Sequence, residues 1–321
     1  MLRCRWIAAL SLLGTAALAE PGIMLLPAIG TPKGITLTGR VLKDVPTHGS
    51  STLSKNLRRL AASGWEGAPL TLKLAALEGK TTSGHDGDFS VRLEPKDAPL
   101  ELGPSTAEAH AQGIATAVAQ VEIQDPAAPF FVVSDFDDTL SVTEVVKREK
   151  LLESALLKDE STQPAVPGMA ALFRCIKKLG AHPPSFALVS GSPIQYGPRI
   201  GAFLAKNGFP FLGLYLREIN PDTLENYKQP VIRVLMKDLP NDVVFFGDSG
   251  EHDPEVYAQM RAEFGKRVVR TYIRDAGHSE NKQRFEGDVF FHETKEAAFD
   301  AAAHKIADPT CVKQEFGESP K

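Results

Sequence analysis

Cysteine is scarce. The 321-residue chain has three, and no two of them stand as Cys-x-x-Cys. That excludes the common zinc and dithiol redox motifs. An excess of positive charge is also missing: 36 Lys and Arg stand against 40 Asp and Glu, a formal net charge of −4. Such a mildly acidic balance argues against nucleic acid as the main partner. No low-complexity block and no repeat period stands out, which argues against a solenoid. The apolar run Trp6–Leu18 is too short to span a bilayer comfortably. It fits the apolar core of a secretory signal instead. Arg3 and Arg5 precede it, and Ala17-Leu18-Ala19 offers a small-x-small cleavage site. Residues 1–19 are therefore expected to be removed, so that the exported chain starts at Glu20, periplasmic or secreted, with no transmembrane helix. It would keep Cys175 and Cys311. An oxidising compartment permits a disulfide between them. A buried thiol at Cys175 fits the sequence equally well.

What is present is alternation, of two kinds. Ile35, Leu37 and Val41 share one parity, as do Leu70, Leu72 and Leu74, then Phe89, Val91 and Leu93, then Ala119, Val121 and Ile123. Period two with one polar face predicts half-buried antiparallel strands. The cluster Gly84-His85-Asp86-Gly87 reads as a hairpin turn, and turn chemistry explains Asp86 and Asp88 without a metal. Leu57 and Leu60 within Ser54–Ala62 hint at a short helical excursion from a long loop. Residues 20–125 thus read as a small β-sandwich domain. It weakly resembles the transthyretin-like or immunoglobulin-like modules attached to exported enzymes. Gln124–Pro129 is the linker.

From residue 126 the pattern changes. Continuous apolar runs at Phe130–Val133, Phe186–Val189 and Val243–Phe246 alternate with helical faces. One such face is Met169, Leu172, Phe173, Ile176 and Leu179, and another is Val231, Ile232, Leu235 and Leu239. Buried strands alternating with helices predict a parallel sheet over residues 126–306. Residues 141–165 leave the sheet and return at Pro167-Gly168, a short cap that leaves the site open. The polar tail, 307–321, is expected to be loose.

Each of the three strands runs into chemistry. The first ends in Asp135, Asp137 and Thr139, the second in Ser190-Gly191-Ser192-Pro193, the third in Asp248 and Asp253. Lys228 stands early in the helix between the second and the third. Parallel strands put their carboxyl ends on one edge, where open α/β sheets bind ligands. Clustered carboxylates repel and raise one another's pKa, so a hard divalent cation is their natural neutraliser. Paired carboxylates at such an edge suit transfer of a phosphoryl group through an aspartyl phosphate.

This set resembles the haloacid dehalogenase superfamily of phosphotransferases. Asp135, Asp137 and Thr139 match its first motif, Ser190 its second, Lys228 its third, and Asp248 with Asp253 its fourth. The resemblance implies a Rossmann-like parallel sheet with flanking helices and a minimal cap. A narrower resemblance, over about residues 126–306, is to the App1-type phosphatidate phosphatases. It rests on Asp135–Thr139, Pro167-Gly168, Val189–Pro193, Gly247–Tyr257 and Tyr272–Arg274. Gly191 and Ile194 depart from that pattern, at positions commonly Asn and Trp.

The resemblance implies that Asp135 attacks phosphorus and that Asp137 acts as acid, then base. Ser190 and Lys228, with Thr139 and Gly191 nearby, would hold the phosphoryl group. Asp135, Asp137, Asp248 and Asp253 would form the Mg²⁺ site. His252 is a candidate for substrate contact or for a structural hydrogen bond. The substrate expected is a phosphomonoester, first of all phosphatidate in a membrane. The rival readings are a phosphomonoesterase for soluble substrates and an inactive relative that binds a partner.

Overall fold

The computed structural model describes residues 21–43, 63–142, 163–217 and 227–318. The signal segment 1–19, the excursion at Ser54–Ala62 and most of the cap at 141–165 lie outside the described residues.

Among the described residues, the first half forms eight strands: β1 (Gly22–Leu25), β2 (Ala28–Gly30), β3 (Ile35–Leu42), β4 (Pro69–Leu74), β5 (Leu77–Thr82), β6 (Asp88–Leu93), β7 (Gly103–Ala111) and β8 (Ile114–Ile123). They make a three-stranded sheet, β1-β3-β6, and a five-stranded one, β2-β8-β7-β4-β5. Every residue of the four alternating sets is buried in the core that the two sheets share. Burying one side chain in two along each strand is what period-two patterning dictates.

The turn at Gly84–Gly87 is present but does not make a hairpin. β5 pairs with β4, whereas β6 pairs with β3. The turn carries the chain from one sheet to the other. Gly79 of β5 shows why. A Cβ there would meet Leu93 and Val91 of β6 at 2.6 and 2.7 Å. The two strands face each other across the core, and only a residue without a side chain lets them approach that closely.

The second half holds strands β9 (Phe130–Ser134), β10 (Phe186–Pro193), β11 (Gly213–Arg217), β12 (Asp242–Asp248), β13 (Val268–Arg274) and β14 (Val289–Phe291). They form one sheet in the order β11-β10-β9-β12-β13-β14, with every neighbouring pair parallel. Helices α1 (Met169–Lys177), α2 (Gly197–Lys206), α3 (Lys228–Asp238), α4 (Asp253–Phe264), α5 (Thr294–Ala303) and α6 (Pro309–Phe316) flank it.

Side chains alternate between two cores. Phe130 and Val132 of β9 join Leu172, Phe203 and Ala298 from α1, α2 and α5. Phe131 and Val133 join Ile232 and Met260 from α3 and α4. Both faces of the strand are covered, which accounts for its unbroken apolar sequence.

Two segments do more than their sequence indicates. Residues 24–30 serve both halves: Leu26 lies in one core of the parallel sheet and Ile29 in the other. Leu214 N–H of β11 donates to the Pro27 carbonyl at 2.8 Å. The tail expected to be loose from about Asp308 is instead a packed helix through Phe316. Asp308 accepts a hydrogen bond from Cys311 N–H at 2.7 Å, and Pro309 opens the helix. This Asp-Pro start is a helix-initiation signal that overall polarity conceals. Cys311 and Val312 of α6 are buried, and a disulfide joins Cys311 to Cys175 of α1. Among the described residues, no helix is long and apolar enough to cross a membrane.

Candidate active site

Register brings the strand ends together. Ser134 lies beside Leu188 of β10 on one side and Phe246 of β12 on the other. The next residues therefore share one edge: Asp135 after β9, Ser190 in β10, and Asp248 at the end of β12.

Asp135 is 1% exposed. Its Oδ1 lies 2.8 Å from Lys228 Nζ, and Asp253 Oδ1 contacts the same ammonium. Lys228 is the first residue of α3, where the helix dipole disfavours a cation. Burial also works against its charge, but Asp135 and Asp253 outweigh burial and hold its pKa well above the usual lysine value. Asp253 opens α4, where an acid is favoured. Gly247 allows it to sit there: a Cβ at Gly247 would meet Asp253 Oδ2 at 2.6 Å and Tyr257 Cε2 at 2.7 Å.

Asp248 Oδ1 accepts from Gly250 N–H at 2.7 Å and Glu251 N–H at 3.3 Å. Burial raises the pKa of both Asp135 and Asp248, with Lys228 acting in the opposite direction. Carboxylate oxygens of Asp135, Asp248 and Asp253 lie within 4.8 Å of one another. Their other contacts differ. Asp253 Oδ2 accepts from Asp248 N–H at 3.3 Å, so both its oxygens have donors. Asp135 Oδ2 and Asp248 Oδ2 are buried with no partner. Two buried carboxylate oxygens without partners in one cluster are costly unless a cation answers them. The triad of Asp135, Asp248 and Asp253 could therefore bind a divalent metal, and Asp253 also holds Lys228.

Asp137 is half-buried on the turn after β9. Burial and then the charge of Glu251 raise its pKa to about 6, with a Ser192 hydrogen bond acting the other way. That hydrogen bond runs from Ser192 Oγ to Asp137 Oδ2 at 3.0 Å. Asp138 takes the left-handed backbone conformation, φ 52°, and Arg274 Nη1 donates to its carbonyl at 2.6 Å. Thr139 is buried with Oγ1 unpartnered. Ser190 Oγ accepts from Ser192 N–H at 3.0 Å, which leaves its own proton free to donate. Gly191 is exposed, and nothing lies within 4 Å of where its Cβ would be. No steric demand for glycine exists there. His252 is exposed at the N-cap of α4, its carbonyl accepting from Val256 N–H at 2.9 Å.

Three supporting residues escape a motif reading. Ser192 and Arg274 lie inside recognised stretches, but their partners are visible only in the folded chain. Arg284 lies beyond them, with no local signal. It donates to the carbonyls of Ser249, Glu251 and His278 at 3.0, 2.7 and 2.9 Å, and pairs with Glu255 at 2.5 Å. It thereby braces the loop from Asp248 to Asp253.

Residues 130–275 match the family model described as the catalytic domain of phosphatidate phosphatase APP1. The match supports an App1-like catalytic domain. An uncharacterized protein of Schizosaccharomyces pombe, C29B5.04c, is 32% identical over 154 residues, 45% of this chain and 25% of that protein. Phosphatidate phosphatase APP1 of Saccharomyces cerevisiae is 24% identical over 204 residues, 60% of this chain and 34% of that protein. The chain thus spans only a quarter to a third of these relatives. Among solved structures, a chain of the Pnkp1/Rnl/Hen1 complex is 20% identical with a TM-score of 0.36, covering 48% of each chain. That likeness is too low to assign a fold.

Proposed function

We propose that this chain is an exported, Mg²⁺-dependent phosphatase of the haloacid dehalogenase type, with phosphatidate as its substrate. The App1-like match over residues 130–275 supports a phosphatase hydrolase. The observation that carries the mechanism is the buried Asp135–Lys228–Asp253 chain beside two orphaned carboxylate oxygens.

Asp135 attacks phosphorus, and the P–O bond to the leaving alcohol breaks. Asp137, protonated, gives its proton to that oxygen. Asp137 then takes a proton from water as the water attacks the aspartyl phosphate. Lys228 and the Ser190 hydroxyl hold the phosphoryl oxygens, and the unpartnered Thr139 hydroxyl is a further donor for them. Asp135, Asp248 and the Asp137 carbonyl would hold the metal, which supplies charge neutralisation at the phosphoryl group. The Cys175–Cys311 disulfide supports export, because such bonds persist in oxidising compartments.

Release of inorganic phosphate from phosphatidate in mixed micelles, set against soluble alkyl and aryl monoesters, tests this reading. Turnover that needs Mg²⁺ and favours phosphatidate is expected. Turnover of soluble monoesters alone contradicts the lipid assignment. No release from any monoester means a binding protein.

A further inference from the structure

Strand β10 does not end in register. Its pairing with β11 runs from Ala187–Gly213 to Ser190–Leu216 and then jumps, bringing Pro193 opposite Arg217. Gly191 and Ser192 form the bulge. Bulges beside sites commonly re-aim a side chain. Here two contacts fix the bulge from opposite ends. Arg217 Nε donates to the Gly191 carbonyl at 2.9 Å, and Ser192 N–H donates to Ser190 Oγ at 3.0 Å. The result is that Ser192 Oγ reaches the turn after β9 and donates to Asp137 Oδ2 at 3.0 Å.

We propose that Ser192 is a positioning residue for the proton-transfer steps, and that Arg217 sets Ser192 by clamping the bulge. This rests on the acid–base role given above to Asp137. The terminal torsion of an aspartate is broad, so an unheld carboxylate at a half-open site samples many orientations. A hydroxyl on Oδ2 selects one and leaves Oδ1 as the oxygen that carries the proton. In the first step the Asp135–phosphorus bond forms, the bond to the leaving oxygen breaks, and the Oδ1 proton goes to that oxygen. In the second, water gives a proton to Oδ1 as it bonds phosphorus, and the Asp135 oxygen leaves. Small misplacements of a reacting group are costly in rate. The bulge thereby separates the two hydroxyls: Ser190, the last residue paired before it, serves the phosphoryl group, and Ser192 within it serves the acid.

The leaving group reports this role. An aryl oxide needs little protonation, whereas an alkoxide needs it badly. The full chain and its Ser192→Ala, Ser192→Thr and Arg217→Ala variants are compared on 4-nitrophenyl phosphate and on phosphatidate. In Ser192→Ala, kcat/KM should fall about tenfold or more with phosphatidate and less than about twofold with the aryl ester. With the aryl ester kcat should still fall, because hydrolysis of the intermediate needs the base, so KM falls with it. Ser192→Thr should restore both, and Arg217→Ala should show the same selectivity, more weakly. Arg217→Ala carries the test if Ser192→Ala melts early.

Equal loss with both substrates, or no loss with phosphatidate, overturns the assignment while leaving the phosphatase reading intact. A wild-type chain that turns over neither ester overturns the phosphatase reading, and this one with it.

Discussion

Lys228 Nζ lies 2.8 Å from Asp135 Oδ1, and Asp253 grips the same ammonium from the loop that also presents Asp248. One buried cation therefore answers two acids, while a third, Asp248, has an oxygen left without a partner. Both a fixed positive charge and a second, exchangeable one are needed to balance the cluster. Lys228 supplies the first, and the proposed metal supplies the second.

Replacing Lys228 with Met should therefore cost stability as well as activity. Breaking a buried ion pair by removing one partner typically costs about 3–5 kcal/mol. Thermal melting of Lys228→Met should show a loss in that range, and Mg²⁺ should recover more of it than it adds to the wild type. A variant as stable as the wild type, with or without Mg²⁺, would place the lysine outside the charge balance.

Arg284 should govern metal affinity from a distance. It touches no proposed ligand side chain but pins the loop between Asp248 and Asp253 through the Ser249 and Glu251 carbonyls, and it also holds the His278 carbonyl and Glu255. Supporting contacts of this kind are typically worth about 10–100-fold in metal affinity. Calorimetric titration of Arg284→Ala with Mg²⁺ should show weakening on that scale. Unchanged Mg²⁺ affinity would mean that Arg284 serves the loop's stability alone.

The disulfide should be a matter of stability. It closes a sequence separation of 136 residues and ties α6 to α1. On the chain-entropy model a loop that long is worth up to about 5 kcal/mol. Reductant should lower the melting temperature of the wild type to that of Cys311→Ser, and leave Cys311→Ser unmoved. If reductant shifts both alike, the bond is not formed in the purified protein.

The parallel sheet was legible because its strands are buried on both faces, and an unbroken apolar run such as Phe130–Val133 fits little besides a strand covered on both sides. The convergence of Asp135, Lys228, Asp248 and Asp253 followed, since parallel topology fixes which strand ends meet. The first half was only half legible. β3, β4, β6 and β8 alternate cleanly, but β5 buries little on either face, and β7 is mostly small and polar. Its sheet pairing is not legible at Gly84–Gly87, because a turn signal says that the chain reverses, not which strand it rejoins. Ser192, Arg217 and Arg284 act through backbone carbonyls or single hydroxyl contacts. Such contacts depend on a bulge or a returning loop and leave no spacing to read. The order of α6 was hidden by its polar surface, although Cys311 and Val312 anchor it.

The central claim is that Asp135 carries the phosphoryl group. Asp137→Asn keeps that carboxylate but removes the base that clears the intermediate, so it should let the phospho-enzyme accumulate. Rapid mixing of this variant with an aryl phosphate should give a burst of phenol and then a slow steady state. Peptide mass spectrometry after the burst should place one phosphoryl group on Asp135, and Asp135→Asn should show neither burst nor label. Phosphate release that persists in a folded Asp135→Asn protein, or a label on any other residue, would contradict the account.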